Sequence, residues 1–407
     1  IAEYTAQFSA DPFTAENQFI TGAGFSSLKN DGSRPAALYP VQKNGYQAWT
    51  GRRKKAADAA DTAKAIDSLS HLIRTRFCHD SEKKQMSVSA SSLEKYYQCP
   101  LSWLYERVLK IKDTDAADDL TPYTTRGTVY HAVLHNFLEE LKGKNLEPPV
   151  RDGDELRLNG TYEKFLAKSM DEVFNTFPYI QDDEEPEMSS LTARFLRAQK
   201  GQYCISLYEF LVQFMACFTG YRIISTEAGY TPSSSGAYVL DGRVDCILES
   251  PSGEGVIVDF KTKSMPNPTD ANETGDAEIA NFQLPLYIRL VESGESAEGK
   301  KIHTTLYFSI LDKKPKMFTG AIENKLNGKR YPQKDEDIIV RDDDRYRMIM
   351  DEFDEKAAQF AAETNNGRFL QFISDYHRCR SCGYRAICRT AYSICRENTR
   401  GDSGNGR

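Results

Sequence analysis

The chain has 407 residues, 40% of them hydrophobic and 27% charged, with a net charge of −7. That is enough apolar material for a sizeable core, which excludes wholesale disorder and allows two or three domains, or one domain with insertions. No apolar run approaches the roughly 18 residues that a membrane span needs, and the acidic balance argues weakly against a nucleic-acid partner until its distribution is read.

The charge is segregated. Arg52, Arg53, Lys54 and Lys55 form a basic knot, and Arg368, Arg378, Arg380, Arg385, Arg389, Arg396 and Arg400 crowd the C-terminal end against only Asp375 and Glu397. Acid collects in 182–187, 335–337 and 342–344, which read as solvated loops and helix faces. The chain starts Ile1-Ala2-Glu3-Tyr4, as expected of a processed chain or a fragment of a longer polypeptide. Nine Cys, an odd number with no secretory leader, point to thiols in a reducing, cytoplasmic compartment.

Residues 1–86 read as a linker or the tail of a preceding domain, with one helix expected from Ala56 to Phe77. Ser91 with Glu94 has capping-box spacing and is expected to open a helix towards Leu109, interrupted at Cys99-Pro100. Gly127 to His131 opens a periodic helix whose apolar stripe is Tyr130, Val133, Leu134, Phe137, Leu138 and Leu141. His131 and His135 lie beside that stripe, where a satisfied structural role is the ordinary reading. Helices at Tyr162–Phe177 and Leu191–Thr219 fill an insertion spanning about 152–219.

From Tyr221 the period becomes two. Strands are expected at Tyr221–Tyr230, Tyr238–Leu248 and Gly255–Thr262, the last two joined by the turn Ser250-Pro251-Ser252-Gly253. Asp259 and Lys261 share one face of the third strand, and pairing brings Asp245 to the same face. Two carboxylates and an ammonium among apolar strands are costly to bury unpartnered. They form either an internal salt bridge or a Mg²⁺ site with a lysine beside it to orient an attacking water. Gln283 and Tyr287 follow at helical i, i+4 spacing. A strand at His303–Ile310 and a helix at Asp343–Thr364 come next.

Cys78, Cys204, Cys217, Cys246 and Cys395 read as packing or surface thiols. Cys379, Cys382 and Cys388 form Cys-x2-Cys-x5-Cys, one ligand short of a closed zinc or iron–sulfur site. His377, Cys395 and the distant Cys99 are candidates for the fourth place, and spacing does not choose among them. Residues 398–407 read as a disordered tail.

In this order the motifs resemble the PD-(D/E)XK nuclease superfamily, in the RecB-like branch with an iron–sulfur staple found in AddB-type subunits of bacterial helicase–nuclease complexes. The resemblance covers about 87–395, within a nuclease domain expected over 87–397. It implies an α/β fold: a restriction-endonuclease-like core of central mixed β-sheet flanked by helices, with helical insertions and a Cys-rich arm at 376–397. It further implies that His131, Asp245, Asp259 and the Phe260 carbonyl hold Mg²⁺ or Mn²⁺, and that Lys261 activates water. Gln283 and Tyr287 would support Lys261 or the DNA strand, and Cys99 would join Cys379, Cys382 and Cys388 around a 4Fe-4S cluster. The implied activity is exonucleolytic processing of DNA double-strand-break ends beside an AddA-like helicase partner. A stand-alone CRISPR-adaptation-type iron–sulfur nuclease is one rival, against which the insertion and the residues before Ser87 argue. A catalytically inactive DNA-holding module with a structural zinc or cluster is another. Pro285 departs from the pattern, since it would leave a hydrogen bond unmade inside a helix. No Gly-x4-Gly-Lys-Ser/Thr phosphate loop is found.

Overall fold

The computed structural model describes residues 56–80, 85–111, 123–176, 190–229, 236, 238–267, 269–271, 277–279, 281–293, 301–326, 329–332, 339–367, 379 and 382–388. The glycine-rich stretch 22–40, the basic knot, the acidic runs 182–187 and 335–337, His377, Cys395 and the tail 398–407 lie outside the described residues. The chain divides into two units, 1–76 with 363–368 and 77–362 with 369–407. In the first, α1 (Ala56–Phe77) is the expected helix. Gly367, at φ +60°, lies against it where a Cβ would come 2.5 Å from Ser70 Oγ.

The second unit opens with β1 (Cys78–Asp80), β2 (Gln85–Val88) and α2 (Ala90–Gln98). Ser89 caps α2 by accepting the Ser92 N–H at 3.3 Å, so the expected Ser91–Glu94 box does not form. Ser91 sits inside the first turn, and the Glu94 carboxylate is engaged elsewhere, by Asn281. Pro100 begins α3 (Pro100–Trp103), a first-turn position where its missing N–H costs nothing. A π-helical turn, Leu104–Val108, follows. Next come α4 (Tyr123–Glu139), the exposed hairpin β3 (Val150–Asp152) and β4 (Glu155–Arg157), and α5 (Gly160–Thr176). The single helix expected over Leu191–Thr219 is two, α6 (Ser190–Ala198) and α7 (Lys200–Cys217), broken beside Gly201, which weakens a helix interior.

The central sheet contains β5 (Arg222–Gly229), β7 (Arg243–Glu249), β8 (Gly255–Lys261), β11 (Ile302–Ser309) and β12 (Lys314–Thr319) in the order β12-β11-β8-β7-β5. β8 and β11 run parallel and the other neighbours antiparallel, so the sheet is mixed. The strand expected over Tyr238–Leu248 is interrupted. β6 (Tyr238–Leu240) leaves to pair with β2, and Asp241 turns the chain by giving its N–H to Val88 O at 2.9 Å. Gly242 then passes so close to the helix α8 (Gln283–Ser293) that a Cβ would sit 2.9 Å from Leu286. Small pairs β9 (Thr269–Ala271) with β10 (Ala277–Ile279) and β13 (Ile322–Leu326) with β14 (Lys329–Tyr331) flank the sheet elements, and α9 (Asp344–Asn365) follows.

Alternation decides the two faces. Cys246, Leu248, Val256, Val258, Phe260, Leu306 and Phe308 turn into a core built with α4, α5 and α7. There Phe210 meets Phe260 and Phe308 edge-on at 5.7 and 5.2 Å. The intervening residues of β8 and β11, Asp259, Lys261 and Tyr307 among them, belong to the side on which α8 packs. Helices thus cover both faces of a mixed sheet, the α/β architecture expected. Among the described residues no helix is long and apolar enough to cross a membrane.

Candidate active site

The β7–β8 ladder ends at Cys246 opposite Val258, while the β8–β11 ladder continues to Lys261 opposite Ser309. Beyond Cys246 the two strands part, and the Phe260 N–H donates instead to Asp245 Oδ2 at 2.9 Å. The same oxygen lies 3.4 Å from His131 Nδ1 on α4. Burial alone would lower the His131 pKa, but the Asp245 carboxylate outweighs it and the imidazolium is favoured. His135 is occupied differently, with Nδ1 3.3 Å from Thr226 Oγ1 on β5. A Cβ on Gly127 of α4 would stand 3.5 Å from Thr262 Oγ1, just past the end of β8.

Asp259 is only 1% exposed. Its Oδ1 accepts from Gln283 Nε2 at 2.7 Å. Its Oδ2 is buried beside Lys261 Nζ, 2.7 Å away. The contact is a close ion pair. Burial pushes the Asp259 carboxyl up to about 7, with Asp245 adding to the rise and Lys261 opposing it. Lys261 Nζ donates to Gln283 Oε1 at 2.7 Å, and Gln283 Nε2 also reaches Tyr287 OH at 2.8 Å. Gln283 is the first residue of α8, so Pro285 falls in the first turn, where its missing N–H breaks no helical bond and causes no kink. His131, Asp245, Asp259, Phe260, Lys261, Gln283 and Tyr287 therefore meet at one end of the sheet.

Three further residues enter this network. Asn281 Oδ1 accepts the Gln283 N–H at 3.1 Å and the Tyr307 hydroxyl, while Asn281 Nδ2 donates to Glu94 Oε1 at 2.6 Å. The Tyr307 ring lies 5.1 Å from Lys261 Nζ. Burial raises the Glu94 pKa, and the Phe282 N–H and Lys261 pull it down. The strand alternation that placed Lys261 also puts Tyr307 on its side. Nothing local in the sequence links Glu94 to Asn281.

An imidazole and two carboxylates suit a hard divalent cation, and an ammonium beside them suits a water nucleophile. Among the described residues no three His, Cys, Asp or Glu side chains form a ready-made ligand set. The donors stand as neighbours, with Lys261 against Asp259.

The cysteines show a related picture. Cys99, between α2 and α3, has its thiol pushed up chiefly by burial and further by the nearby Cys388 and Cys382. The N–H groups of Ser102 and Leu101 pull the other way. Tyr384, in the 3₁₀ turn Gly383–Ala386, donates to Ile111 O at 3.1 Å and lies 5.5 Å from the Tyr105 ring. The C-terminal arm is thereby laid against the segment that follows Cys99. Cys99, Cys379, Cys382 and Cys388 take part in no disulfide among the described residues.

The sequence pattern of the PD-(D/E)XK nuclease superfamily matches residues 87–389. Several curated relatives are named as subunits of an ATP-dependent helicase/deoxyribonuclease. The one from Clostridium acetobutylicum is 26% identical over 285 residues, 67% of this chain and 22% of the relative. The one from Clostridium tetani is 24% identical over 264 residues, 60% of this chain and 21% of the relative. A Leuconostoc mesenteroides relative is 40% identical over 74 residues, 18% of this chain and 6% of the relative. The matches of this chain thus span about a fifth or less of these relatives' lengths.

Proposed function

This chain belongs to the PD-(D/E)XK nuclease superfamily, and on that premise we propose that it hydrolyses DNA phosphodiesters as the nuclease domain of a helicase–nuclease complex. The observation that carries the reading is the buried Asp259–Lys261 pair at the splayed end of β7 and β8, with Asp245 and His131 beside it. His131, Asp245 and Asp259, with the Phe260 carbonyl suggested by the family resemblance, would hold Mg²⁺ or Mn²⁺. When bound, such an ion polarises the scissile phosphate and acidifies the attacking water.

The protein's own groups do the rest. Lys261 presents its ammonium to the attacking water and to the charge that grows on the phosphate. Gln283 fixes that ammonium through Oε1 and fixes Asp259 through Nε2, so one amide sets the relative position of both groups. Tyr287 holds the amide orientation. Asn281→Ala is expected to lower kcat about tenfold, the worth of one or two such hydrogen bonds, with KM unchanged in steady-state assays. Exonucleolytic action on broken ends, fed by an AddA-like helicase, extends this reading along the names that the relatives carry. Cys99, Cys379, Cys382 and Cys388 would hold a 4Fe-4S cluster.

The test is cleavage of end-labelled single- and double-stranded DNA with Mg²⁺ and with chelator, wild type beside Lys261→Ala. The variant is expected to be slower by about 10²–10³-fold. Equal rates, or cleavage that persists in chelator, would overturn the proposal.

A further inference from the structure

The sheet carries the Lys261 side beyond the residues used so far. In the β8–β11 ladder Asp259 stands opposite Tyr307 and Lys261 opposite Ser309. In the β11–β12 ladder Tyr307 stands opposite Lys316 and Ser309 opposite Lys314. Residues that oppose one another across a ladder lie on the same side of the sheet. Lys316 and Lys314 therefore extend the rows of Asp259 and Lys261, two strands or ~10 Å further on. Lys263 lies two residues past Lys261, where the chain leaves β8.

Lys263, Lys314 and Lys316 line one cleft of about 400 Å³ with Ser264, Met265, Asp312 and Pro315. Three ammonium groups there face a single carboxylate. Lys263 and Lys314 are exposed, and Lys316 Nζ is anchored by Met265 O at 3.3 Å and by Asn267. The neighbouring Lys313 is turned away from this role by its ion pair with Glu209. Among the described residues no aromatic side chain lines the cleft, so what they offer is charge for phosphates rather than a surface for stacking bases.

The geometry points to a phosphate track: Lys263 and Lys314, backed by Lys316, hold the backbone of the DNA strand one or two nucleotides from the bond to be cut, without regard to sequence. This rests on the nuclease reading and adds to it the path of the strand across β11 and β12. The track binds substrate and its transition state equally, so it sets KM and leaves kcat alone.

The test is anisotropy of a labelled single-stranded oligonucleotide, titrated in chelator over a salt series. Wild type is compared with Lys263→Ala/Lys314→Ala and Lys263→Arg/Lys314→Arg double variants. Loss of two phosphate contacts on a single strand is expected to flatten the slope of log affinity on log salt by about 1.4, two contacts at ~0.7 each. The arginine variant is expected to keep the wild-type slope, and in cleavage assays only the alanine variant is expected to raise KM. An unchanged slope and KM in the alanine variant, with wild type binding DNA, overturns the track. A wild type that binds no DNA overturns the nuclease reading instead.

Discussion

Asp259→Asn is expected to reduce DNA cleavage to background and, in the metal-free protein at neutral pH, to raise the midpoint of thermal unfolding. Burial lifts this carboxyl from 3.8 to about 7, so the fold favours its protonated form. Stability from such a group is full below the unfolded value and drains away as pH rises through the folded one. The metal-free wild type is therefore expected to weaken between about pH 4 and pH 7. The asparagine cannot ionise, and its single acceptor oxygen can keep the bond from Gln283 Nε2 while the ion pair with Lys261 is given up. Each kcal/mol recovered shifts the midpoint by about 2–4 °C in a domain of this size class. The gap between variant and wild type should open with rising pH in chelator and narrow when Mg²⁺ is added, because an ion that binds only the native wild type restores its stability. Retained cleavage in the variant, or a gap that ignores both pH and Mg²⁺, would remove Asp259 from the site.

The same residue shows which parts of this molecule a sequence can reveal. Period-two alternation put Asp245, Asp259 and Lys261 on one side of a hairpin, because strand geometry leaves only two faces to choose from. It could not reveal that the β7–β8 ladder stops at Cys246, since that depends on the Asp245 side chain taking the Phe260 N–H. The break at Asp241-Gly242 was hidden for a similar reason: β6 leaves the expected strand to pair with β2, a partner more than a hundred residues away. At α2, Ser89 and Ser91 are both good caps by type. The winner is the one whose hydroxyl receives the Ser92 N–H, and the losing box freed Glu94 for Asn281. Asn281 itself carries no periodic signal, because its place is fixed by Glu94, Gln283 and Tyr307 from three separate elements. Asp245, Asp259, Lys261, Gln283 and Tyr287 were legible by strand and helix spacing, whereas Asn281 and Glu94, placed by contacts between separate elements, were not.

Cys99→Ala is expected to have the largest effect on stability of any single substitution. A cluster joining Cys99 to Cys379 would close a loop of 280 residues (379 − 99). A covalent cross-link over a 100-residue loop is worth up to about 4.7 kcal/mol by chain entropy, and each doubling adds about 0.6. A cluster bridging Cys99 to the C-terminal thiols would thus contribute on the order of 5 kcal/mol, a large share of a domain's net stability. Among the described residues, Tyr384 also ties the arm to the segment after Cys99, through Ile111 O and the Tyr105 ring. Negative charge on Cys382 or Cys388 also opposes ionisation of Cys99, a repulsion that a bound cluster would reverse. In anaerobically purified protein, the alanine variant is expected to lose the visible absorbance and the bound iron, to unfold at lower urea, and to be cut by protease within the C-terminal arm before the sheet. Colourless wild type holding one zinc would replace the cluster yet keep the clip. Wild type with neither metal, matched in urea by the variant, would remove the clip.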